Sequence, residues 1–328
     1  MEQKETILSI RNLSVNYGSE EGNVEAVRDV SFDLQRGKTI GLVGETGAGK
    51  TTIALAIMGL LPEPPAKVIS GEMEYKGMDI LRMPHKKRIS LRGSQMSMIF
   101  QDPMTSLNPI ETVGSQITEA ILNHNKISRA EARMRAVEKL EMVGIPGERF
   151  DEYPHQFSGG MKQRIVIAIA LACNPELLIA DEPTTALDVT IQAQILQLIN
   201  KLKKEQNTSN IMITHDLGVI AMMCDEVAVV YAGQIIEKGT LQQIFKHPAH
   251  PYTIGLFRAL PDINSQGKHR LEPIKGLMPD PTKLPKGCAF APRCSKCCEE
   301  CKQHGVELKD IGDGHLVRCL FHVEGLKL

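Results

Sequence analysis

The feature that most constrains the fold of this chain is a glycine-rich segment that follows a short apolar run. Residues 44–51 read Gly-Glu-Thr-Gly-Ala-Gly-Lys-Thr and match G-x-x-x-x-G-K-[ST] at every fixed position. Residues 39–43 before it read as a buried strand, and residues 50–60 read as a helix. In such a unit, glycines let backbone N–H groups point at phosphate oxygens, and the helix N-terminus adds partial positive charge. The segment therefore predicts a nucleoside triphosphate site, in which Lys50 reaches the β and γ phosphates and the Thr51 hydroxyl ligates Mg²⁺.

Composition and charge exclude several classes of protein. The chain has 328 residues, 42% hydrophobic and 23% charged, with 38 basic and 39 acidic side chains. These are ordinary values for a soluble globular protein, and the charge balance argues against a nucleic-acid partner held by bulk charge. The longest apolar stretch, residues 165–173, is far shorter than the roughly 20 residues of a bilayer span. The first five residues lack the apolar core of a signal peptide, so we expect neither a membrane-spanning nor a secreted protein.

The pattern of apolar residues divides the chain near residue 240. Before that point, short β-branched runs alternate with helical patterns, which is typical of an α/β domain with a largely parallel sheet. Ser128 followed by Glu131 predicts a capping box that opens a helix over residues 129–142. A proline- and glycine-rich connector, residues 261–287, then leads to a cysteine-rich tail. We predict a domain of residues 1–247 and a C-terminal extension of residues 248–328. The predicted strands are residues 39–43, 96–100, 177–180, 211–214 and 227–231.

Three of these strands end in residues suited to phosphate chemistry. Asp181 and Glu182 follow strand 177–180. A hard cation bound to phosphates prefers carboxylate oxygen, so we expect Asp181 in the Mg²⁺ shell and Glu182 as the group that orients and deprotonates the attacking water. His215 follows strand 211–214 and is predicted to sense the γ-phosphate as a neutral imidazole. Gln101 follows strand 96–100, where an amide can contact both Mg²⁺ and the attacking water.

A second glycine-rich segment indicates a second subunit. Ser158, Gly159 and Gly160 open a predicted helix and form another anion-binding terminus. One domain needs one γ-phosphate site, so this terminus indicates a phosphate presented by another chain. In this context residues 157–161, Phe-Ser-Gly-Gly-Met, resemble the signature motif of the ATP-binding cassette (ABC) family of transport ATPases, which usually begins with Leu and ends with Gln.

The resemblance runs in order from residue 7 to about residue 245. It implies an α/β fold, the ABC nucleotide-binding domain of P-loop NTPases, with a RecA-like core, an antiparallel β-subdomain and a helical subdomain. It implies an ATPase in which Glu182 is the catalytic base, Gln101 the Q-loop residue and His215 the switch histidine. Tyr17 stands where the family places the aromatic ring that stacks on adenine, and Asp188 ends a segment similar to the D-loop. The other residues expected at the nucleotide are Gly44, Glu45, Thr46, Gly47, Ala48, Gly49, Lys50, Thr51, Thr52, Ser158, Gly159 and Gly160, and those expected at Mg²⁺ are Thr51, Gln101 and Asp181.

Longer segments narrow the resemblance to one branch of the family. Residues 101–109, 153–161, 250–253 and 287–294 are similar to the ATPases of oligopeptide and dipeptide importers. This implies a peripheral subunit on the cytoplasmic face of the cell membrane. Its expected partners are two membrane-spanning permease subunits, a second and related ATPase subunit and an extracytoplasmic substrate-binding protein. The segment after Gln101, including Met104 and Leu107, is a candidate dock for the permeases.

Two alternative functions stay open at this point. Nickel importer ATPases share much of the same pattern, so the cargo could be nickel rather than peptide. A soluble ABC ATPase acting on ribosomes or DNA is an alternative of a different class. Such proteins usually carry two cassettes or a long coiled-coil insertion, and the sequence has neither.

Six of the eight cysteines lie between residues 288 and 319, and this crowding in a chain without an export signal indicates a metal centre rather than disulfides. Spacing alone permits a tetrahedral Zn²⁺ site or a [4Fe–4S] cluster. The resemblance implies the cluster, with Cys288, Cys294, Cys301 and Cys319 as ligands. Cys297 and Cys298 are extra, and either could replace a ligand or stand as a free thiol. We predict that the centre is structural, because a tail this poor in apolar residues cannot form a core alone.

Overall fold

The computed structural model describes residues 5–20, 22–185, 187–259 and 273–321. Within these residues the strands form two sheets, one of four strands and one of eight. The strands are β1 Thr6–Ser19, β2 Gly22–Gln35, β3 Thr39–Val43, β4 Ala66–Tyr75, β5 Met78–Asp79, β6 Met96–Ile99, β7 Leu177–Asp181, β8 Ser209–Thr214, β9 Glu226–Tyr231, β10 Gln234–Thr240, β11 Lys309–Asp310 and β12 Leu316–Val317. Each of the five predicted strands is confirmed: four agree to within one residue at their ends, and the strand predicted from residue 211 begins two residues earlier, at Ser209.

The helices follow the predicted alternation with strands. They are α1 Lys50–Met58, α2 His85–Leu91, α3 Pro103–Ser106, α4 Val113–Leu122, α5 Arg129–Met142, α6 Gly159–Ala170, α7 Val189–Gln206, α8 Leu217–Met223, α9 Leu241–Lys246, α10 Pro251–Arg258 and α11 Glu299–Gln303. Short 3₁₀ turns cover Gly147–Asp151, Pro154–Gln156 and Ala291–Arg293. No helix in the described ranges is both long and apolar enough to cross a bilayer.

The eight-stranded core sheet has the order β11-β12-β10-β9-β3-β8-β7-β6, and its strands from β9 to β6 run parallel. In a parallel sheet the carboxyl ends of all strands meet at one edge, which is where ligands bind in open α/β folds. That edge carries the residues that follow β3, β6, β7 and β8. The predicted phosphate loop, Gln101, the acidic pair and His215 therefore come from one side of the core sheet.

Side chains of the core strands alternate between two apolar cores. On β7, for example, Leu177 and Ile179 pack with α1 and the small antiparallel sheet β2-β1-β4-β5, whereas Leu178 and Ala180 pack with helices α4 to α8. The alternation follows from the period of two in a strand, and burial on both faces explains the continuous apolar runs. The molecule is therefore layered, with the antiparallel sheet on one face of the core sheet and the helices on the other.

Polar caps fix where the helices begin. Ser128 Oγ accepts a hydrogen bond of 3.1 Å from the N–H of Glu131, so the predicted start of α5 is confirmed. The Glu131 side chain does not complete the capping box and instead pairs with Arg135 at 2.7 Å. Asp188 caps α7 by accepting from the N–H of Ile191 at 2.9 Å. A cap of this kind typically stabilises a helix by about 1 kcal/mol.

The cysteine-rich tail joins the core sheet. The hairpin of β11 and β12 pairs with the edge strand β10. On β10, the fully buried Glu237 accepts hydrogen bonds from the N–H groups of Ala249 and His250 and lies 2.8 Å from Nε2 of His315. Of the predicted connector, residues 273–287 are irregular, and residues 261–272 lie outside the described residues.

Candidate active site

The phosphate-binding loop, residues 44–51, is held in a tight curl between β3 and α1. Gly49 has a φ of +100°, and a Cβ there would lie 2.3 Å from the carbonyl oxygen of Ala26, so only glycine fits. The ammonium group of Lys50 donates to the carbonyls of Gly44 at 2.8 Å and Glu45 at 2.9 Å. Burial lowers the pKa of Lys50, opposed by the nearby carboxylates of Glu182 and Asp181. The loop therefore presents a buried cation among inward-facing backbone groups.

A cleft of about 470 Å³ opens over this loop. It brings together the loop, the end of β6, the end of β7 and a segment of the C-terminal extension. The predicted site residues that line it are Thr46, Gly47, Ala48, Gly49, Lys50, Thr51, Thr52, Gln101 and Glu182. Its size suits a nucleotide, since ligand pockets usually enclose about 300–1,000 Å³.

Asp181 lies behind Thr51 at the end of β7. Its side chain is buried, with 3% of the residue exposed, and it accepts a hydrogen bond from the Thr51 hydroxyl. Burial raises the pKa of Asp181, and the neighbouring Glu182 raises it further, while Thr51 and Lys50 oppose both. A buried carboxylate of this kind needs a compensating positive charge to stay ionised. The carboxylate oxygens of Asp181 and the Thr51 hydroxyl therefore fit a hard cation such as Mg²⁺.

Glu182 lies at the centre of a hydrogen-bond network at the mouth of the cleft. One carboxylate oxygen accepts from Gln101 Nε2 at 2.8 Å and from the Thr185 hydroxyl at 2.9 Å, and the other lies 3.1 Å from Nδ1 of His215. Burial favours the neutral acid, but the bonds from His215 and Thr185 outweigh it and lower the pKa of Glu182. Its φ of +46° is uncommon for a residue with a side chain and marks a constrained position.

Some predicted site residues lie away from the cleft. The N-terminus of α6 is exposed at Ser158 and Gly159, and neither residue, nor Gly160, lines the cleft. The Ser158 hydroxyl makes no capping bond to α6. Asp188 caps α7 instead of lining the cleft.

Two further expectations differ from the structure. Tyr17 is half-buried and packs against the core under the antiparallel sheet, so the structure does not bring its ring to the wall of the cleft. Leu107 is 5% exposed and belongs to the core of the helical layer, because its β6–α4 connection folds inward; its predicted role as a docking residue was wrong. The Met104 side chain lies outside the described residues.

The C-terminal extension supplies a wall of the cleft that the sequence did not indicate. Met278, Pro279, Asp280, Pro281 and Leu284 line it opposite the phosphate loop. The carbonyl of Pro281 accepts a hydrogen bond of 3.2 Å from the N–H of Glu25, which joins this segment to β2. The sequence carries no local signal for this wall, because it depends on the path of the chain back from the connector.

The four cysteines expected as ligands share one pocket. Cys288, Cys294, Cys301 and Cys319 all line it, together with Phe290 and Val306, whereas Cys297 and Cys298 do not. Burial raises the pKa of each of the four thiols, that of Cys319 to about 11. The enclosed space is about 20 Å³. Across the described part of the chain, no three His, Cys, Asp or Glu side chains are placed to hold a metal ion.

Two family models match the chain. The model described as ABC transporter matches residues 27–185, and the one described as oligopeptide/dipeptide transporter, C-terminal region, matches residues 236–301. The chain is 49% identical over 325 residues to the oligopeptide transport ATP-binding protein OppD of Bacillus subtilis, covering 98% of this chain and 91% of OppD. It is 50% identical over 317 residues to the dipeptide transport ATP-binding protein DppD of the same organism, covering 96% and 94%.

The chain belongs to the ABC transporter family. This ABC transporter ATPase also resembles solved structures. A dimeric cassette, MJ0796 in a post-hydrolysis state bound to ADP and phosphate, superposes with a TM-score of 0.65 at 27% identity, covering 71% of this chain and 98% of that one. The cbiO1 protein of Clostridium perfringens, part of the cbiONQ ABC transporter complex, gives 0.64 at 30% identity, covering 74% and 91%. The predicted ABC cassette fold is therefore confirmed.

Both matched regions contribute to the cleft of this ABC ATPase. The first spans the phosphate loop, Gln101, the residues at the start of α6 and the acidic pair. The second spans the extension segment that lines the cleft, and three of the four pocket cysteines; Cys319 lies beyond its end. ABC ATPases act on ATP with Mg²⁺. The cleft over the phosphate-binding loop is therefore lined both by the ATPase cassette and by the region shared with peptide transporters.

Proposed function

We propose that this chain is the ATP-hydrolysing subunit of an importer for di- and oligopeptides. The observation that carries the proposal is the nucleotide cleft built jointly by the ABC cassette and by the extension region that matches oligopeptide and dipeptide transporters. Relatives with that name share about half of their residues with this chain over nearly its whole length. ATP hydrolysis would supply the energy for uptake through partner membrane subunits.

In the proposed complex, the phosphates of ATP lie on the curled loop of residues 44–51. Lys50 contacts the β and γ phosphates, and the N–H groups of the loop and of the first turn of α1 hold the remaining oxygens. Thr51, Asp181 and Gln101 hold Mg²⁺, which, when bound, neutralises phosphate charge. The buried Asp181 and its hydrogen bond from Thr51 support this placement.

Glu182 is the proposed catalytic base. Its lowered pKa keeps it ionised at neutral pH, so it can orient a water molecule and accept its proton. His215, Gln101 and Thr185 fix the carboxylate, which removes the freedom it would otherwise lose in the transition state. Gln101, which lines the cleft, and His215, which is bonded to Glu182, would also contact the γ-phosphate.

Each ATP is proposed to lie between two ATPase subunits. The exposed start of α6, with Ser158, Gly159 and Gly160, would contact the γ-phosphate on the second subunit, and Asp188 would lie near the same interface. Ser158, Gly159 and Asp188 are exposed, and none of the four residues lines the chain's own cleft, which supports a role in a partner's site. ATP closes such a pair because it gains contacts from both chains only when they meet, and hydrolysis reopens it.

The chain is proposed to act at the cytoplasmic face of the cell membrane, on two permease subunits. The second ATPase subunit is a related chain, and an extracytoplasmic binding protein delivers the peptide. Phe100 and Ile110, which are 42% and 81% exposed beside the Q-loop, replace Leu107 as the apolar residues available for docking permeases. Phe100 directly precedes Gln101, so movement of a permease docked at Phe100 would reach the catalytic network.

The four pocket cysteines are proposed to hold a structural [4Fe–4S] cluster. Thiolates around one apolar pocket are the donor set of such clusters. A single Zn²⁺ is the alternative, since a tetrahedral zinc site takes the same thiolate ligands. The four thiols must move outward to admit a cluster, given the small space they enclose.

Iron and acid-labile sulfide are measured on protein purified without oxygen, in wild type, Cys288→Ser and Cys297→Ser. We expect about four iron atoms per chain in the wild type and in Cys297→Ser, and loss of the iron in Cys288→Ser. One zinc per chain without iron would end the proposal.

Uptake in the native host tests the transport function. A strain lacking this chain is supplied with the wild type or with Lys50→Ala, and uptake of a labelled tripeptide and of nickel is measured separately. We expect the wild type alone to restore tripeptide uptake. Restoration of nickel uptake without peptide uptake would replace peptide by nickel as the cargo, and restoration of neither would contradict a transport role.

A further inference from the structure

The C-terminal extension grips the phosphate-binding loop at Glu45, the residue after its first glycine. The N–H of Glu45 donates to the Tyr252 hydroxyl at 3.0 Å. The two oxygens of its carboxylate accept from Nη1 of Arg293 at 3.0 and 3.1 Å. Both the backbone and the side chain of this loop residue are therefore fixed by the extension, across 207 and 248 positions of sequence.

Arg293 is itself held rigidly. Its side chain is 5% exposed, and it donates to the carbonyls of Lys275 at 3.1 Å and Ile274 at 3.4 Å. Burial disfavours its charge, but the hydrogen bonds to Glu45 and Tyr231 outweigh it and raise the pKa of Arg293. A rigid, permanently charged guanidinium of this kind holds a carboxylate in one orientation.

Three aromatic rings form a bed beneath this ion pair. Tyr231 at the end of β9 lies 4.6 Å from Tyr252 and 5.3 Å from Phe290, measured between ring centroids, and Tyr252 lies 5.4 Å from Phe290. Phe290 also lines the cysteine pocket. These three rings therefore connect the cysteine pocket, through Phe290, to Tyr252, which bonds to Glu45 of the phosphate-binding loop.

The charge of Glu45 would be harmful to ATP binding without a partner. Its carbonyl accepts from the Lys50 ammonium, so its carboxylate belongs to the loop that receives the phosphates. A negative charge close to a polyphosphate raises the free energy of the complex, most strongly where water is excluded. Arg293 cancels that charge and turns the carboxylate toward the extension.

We infer that Arg293 of the extension is a positioning residue for ATP: it neutralises and orients Glu45, and so makes the affinity of the phosphate-binding loop depend on the docked tail. The inference rests on the proposed placement of the ATP phosphates on residues 44–51. Arg293 acts through Glu45, so its loss weakens ATP binding while the step at Glu182 keeps its rate. In steady state, Arg293→Gln therefore raises KM for ATP and leaves kcat nearly unchanged.

The test is a titration of the full chain with Mg²⁺ and the non-hydrolysable β,γ-imido analogue of ATP. Arg293→Gln leaves Glu45 charged and unpaired, and we expect the affinity to fall about tenfold, with a smaller fall at high ionic strength. Glu45→Gln in the same chain removes the stranded charge, so the double variant should recover to within roughly threefold of wild type. Arg293→Lys, which keeps the charge, should lie between wild type and Arg293→Gln.

The matched control is Arg318→Gln. Arg318 is also a buried arginine of the tail, bonded to the carbonyls of Ile235 and Val306 and to Asp29, but it does not contact the phosphate loop. Its loss should leave the affinity within about twofold of wild type. A double variant that binds as weakly as Arg293→Gln would overturn the inference. An equal loss in Arg318→Gln would also overturn it, provided that the urea midpoint of that variant matches wild type and the tail is therefore still docked.

Two further variants keep the test decisive. If Arg293→Gln does not fold, Glu45→Gln alone decides, because it should bind the analogue at least as tightly as wild type, and a clear loss contradicts the charge argument. Lys50→Ala separates the inference from the proposed function. If wild type and Lys50→Ala bind alike, the placement of ATP is wrong; if Lys50→Ala abolishes binding and Arg293→Gln changes nothing, only the inference fails.

Discussion

Nδ1 of His215 lies 3.1 Å from one carboxylate oxygen of Glu182, while the other oxygen accepts bonds from Gln101 and Thr185. The carboxylate is thus held from three sides and ionised.

Replacing the Glu182 carboxylate by an amide of the same shape removes the proton acceptor but leaves the cleft intact. Glu182→Gln should lower kcat for ATP by at least about 10²-fold and retain ATP binding. Phosphate release and ATP titration on one preparation measure both, with Glu138→Gln on the exposed face of α5 as control. Unchanged turnover would refute the assigned base.

Thr185 belongs to the hydrogen-bond network around Glu182, although no local sequence pattern indicated that role. Its hydroxyl donates to Glu182 at 2.9 Å and helps to lower the pKa of that carboxylate. Thr185→Val removes the bond at nearly constant shape, so we expect kcat to fall about tenfold, the usual cost of one hydrogen bond to a charged group. KM for ATP should stay within about twofold of wild type, since the hydroxyl contacts the base and not the loop. Steady-state kinetics check this, and Thr190→Val, exposed on α7, serves as control; an equal effect there would contradict the assignment.

The helical layer contains a tight contact that predicts a stability effect. A Cβ on Gly114 of α4 would lie 2.3 Å from the ring of Phe150, which is itself buried. Gly114→Ala should therefore lower the free energy of unfolding by about 1–3 kcal/mol, because the ring must shift within a packed core. Gly305→Ala is the control, since nothing lies within 4 Å of its added methyl group. Urea denaturation measures both variants, and equal stabilities would show that the layer adapts freely.

The parts of this site that local patterns determine were predicted from the sequence. The strand–loop–helix unit at residues 44–51, the acidic pair after β7 and His215 after β8 depend on short runs whose periodicity fixes the strands. Parallel strands then bring their ends to one edge. These residues line the cleft or bond to residues that do.

The parts that depend on distant contacts were not predicted. Arg293 meets Glu45 across 248 positions, and Met278 reaches the cleft only because the chain returns from the connector. No local spacing encodes such a return path. Tyr17 shows the same limit, because the pairing of the antiparallel sheet decides how its ring packs against the core, and no local pattern encodes that pairing.

His250 is a fully buried imidazole at the start of α10. Its Nδ1 accepts a hydrogen bond of 3.0 Å from the N–H of Tyr252, and Phe290 covers it. Burial lowers the pKa of His250 from 6.5 to about 4, although the nearby Glu237 opposes the shift. Below pH 6.5, His250 therefore becomes protonated in the unfolded chain, whereas in the folded chain it stays neutral until the pH approaches about 4.

Because the unfolded state binds more protons in this range, this contribution to stability is complete above pH 6.5 and falls as the pH drops toward 4. We expect the free energy of unfolding to decrease by about 2 kcal/mol between pH 7 and pH 5 from this residue alone. His250→Asn keeps an acceptor for the helix cap but does not titrate, so its decrease over the same range should be smaller by that amount. Urea denaturation of both chains at the two pH values isolates the difference, since every other titrating group is shared. Parallel losses in the two chains would show that His250 is protonated without cost.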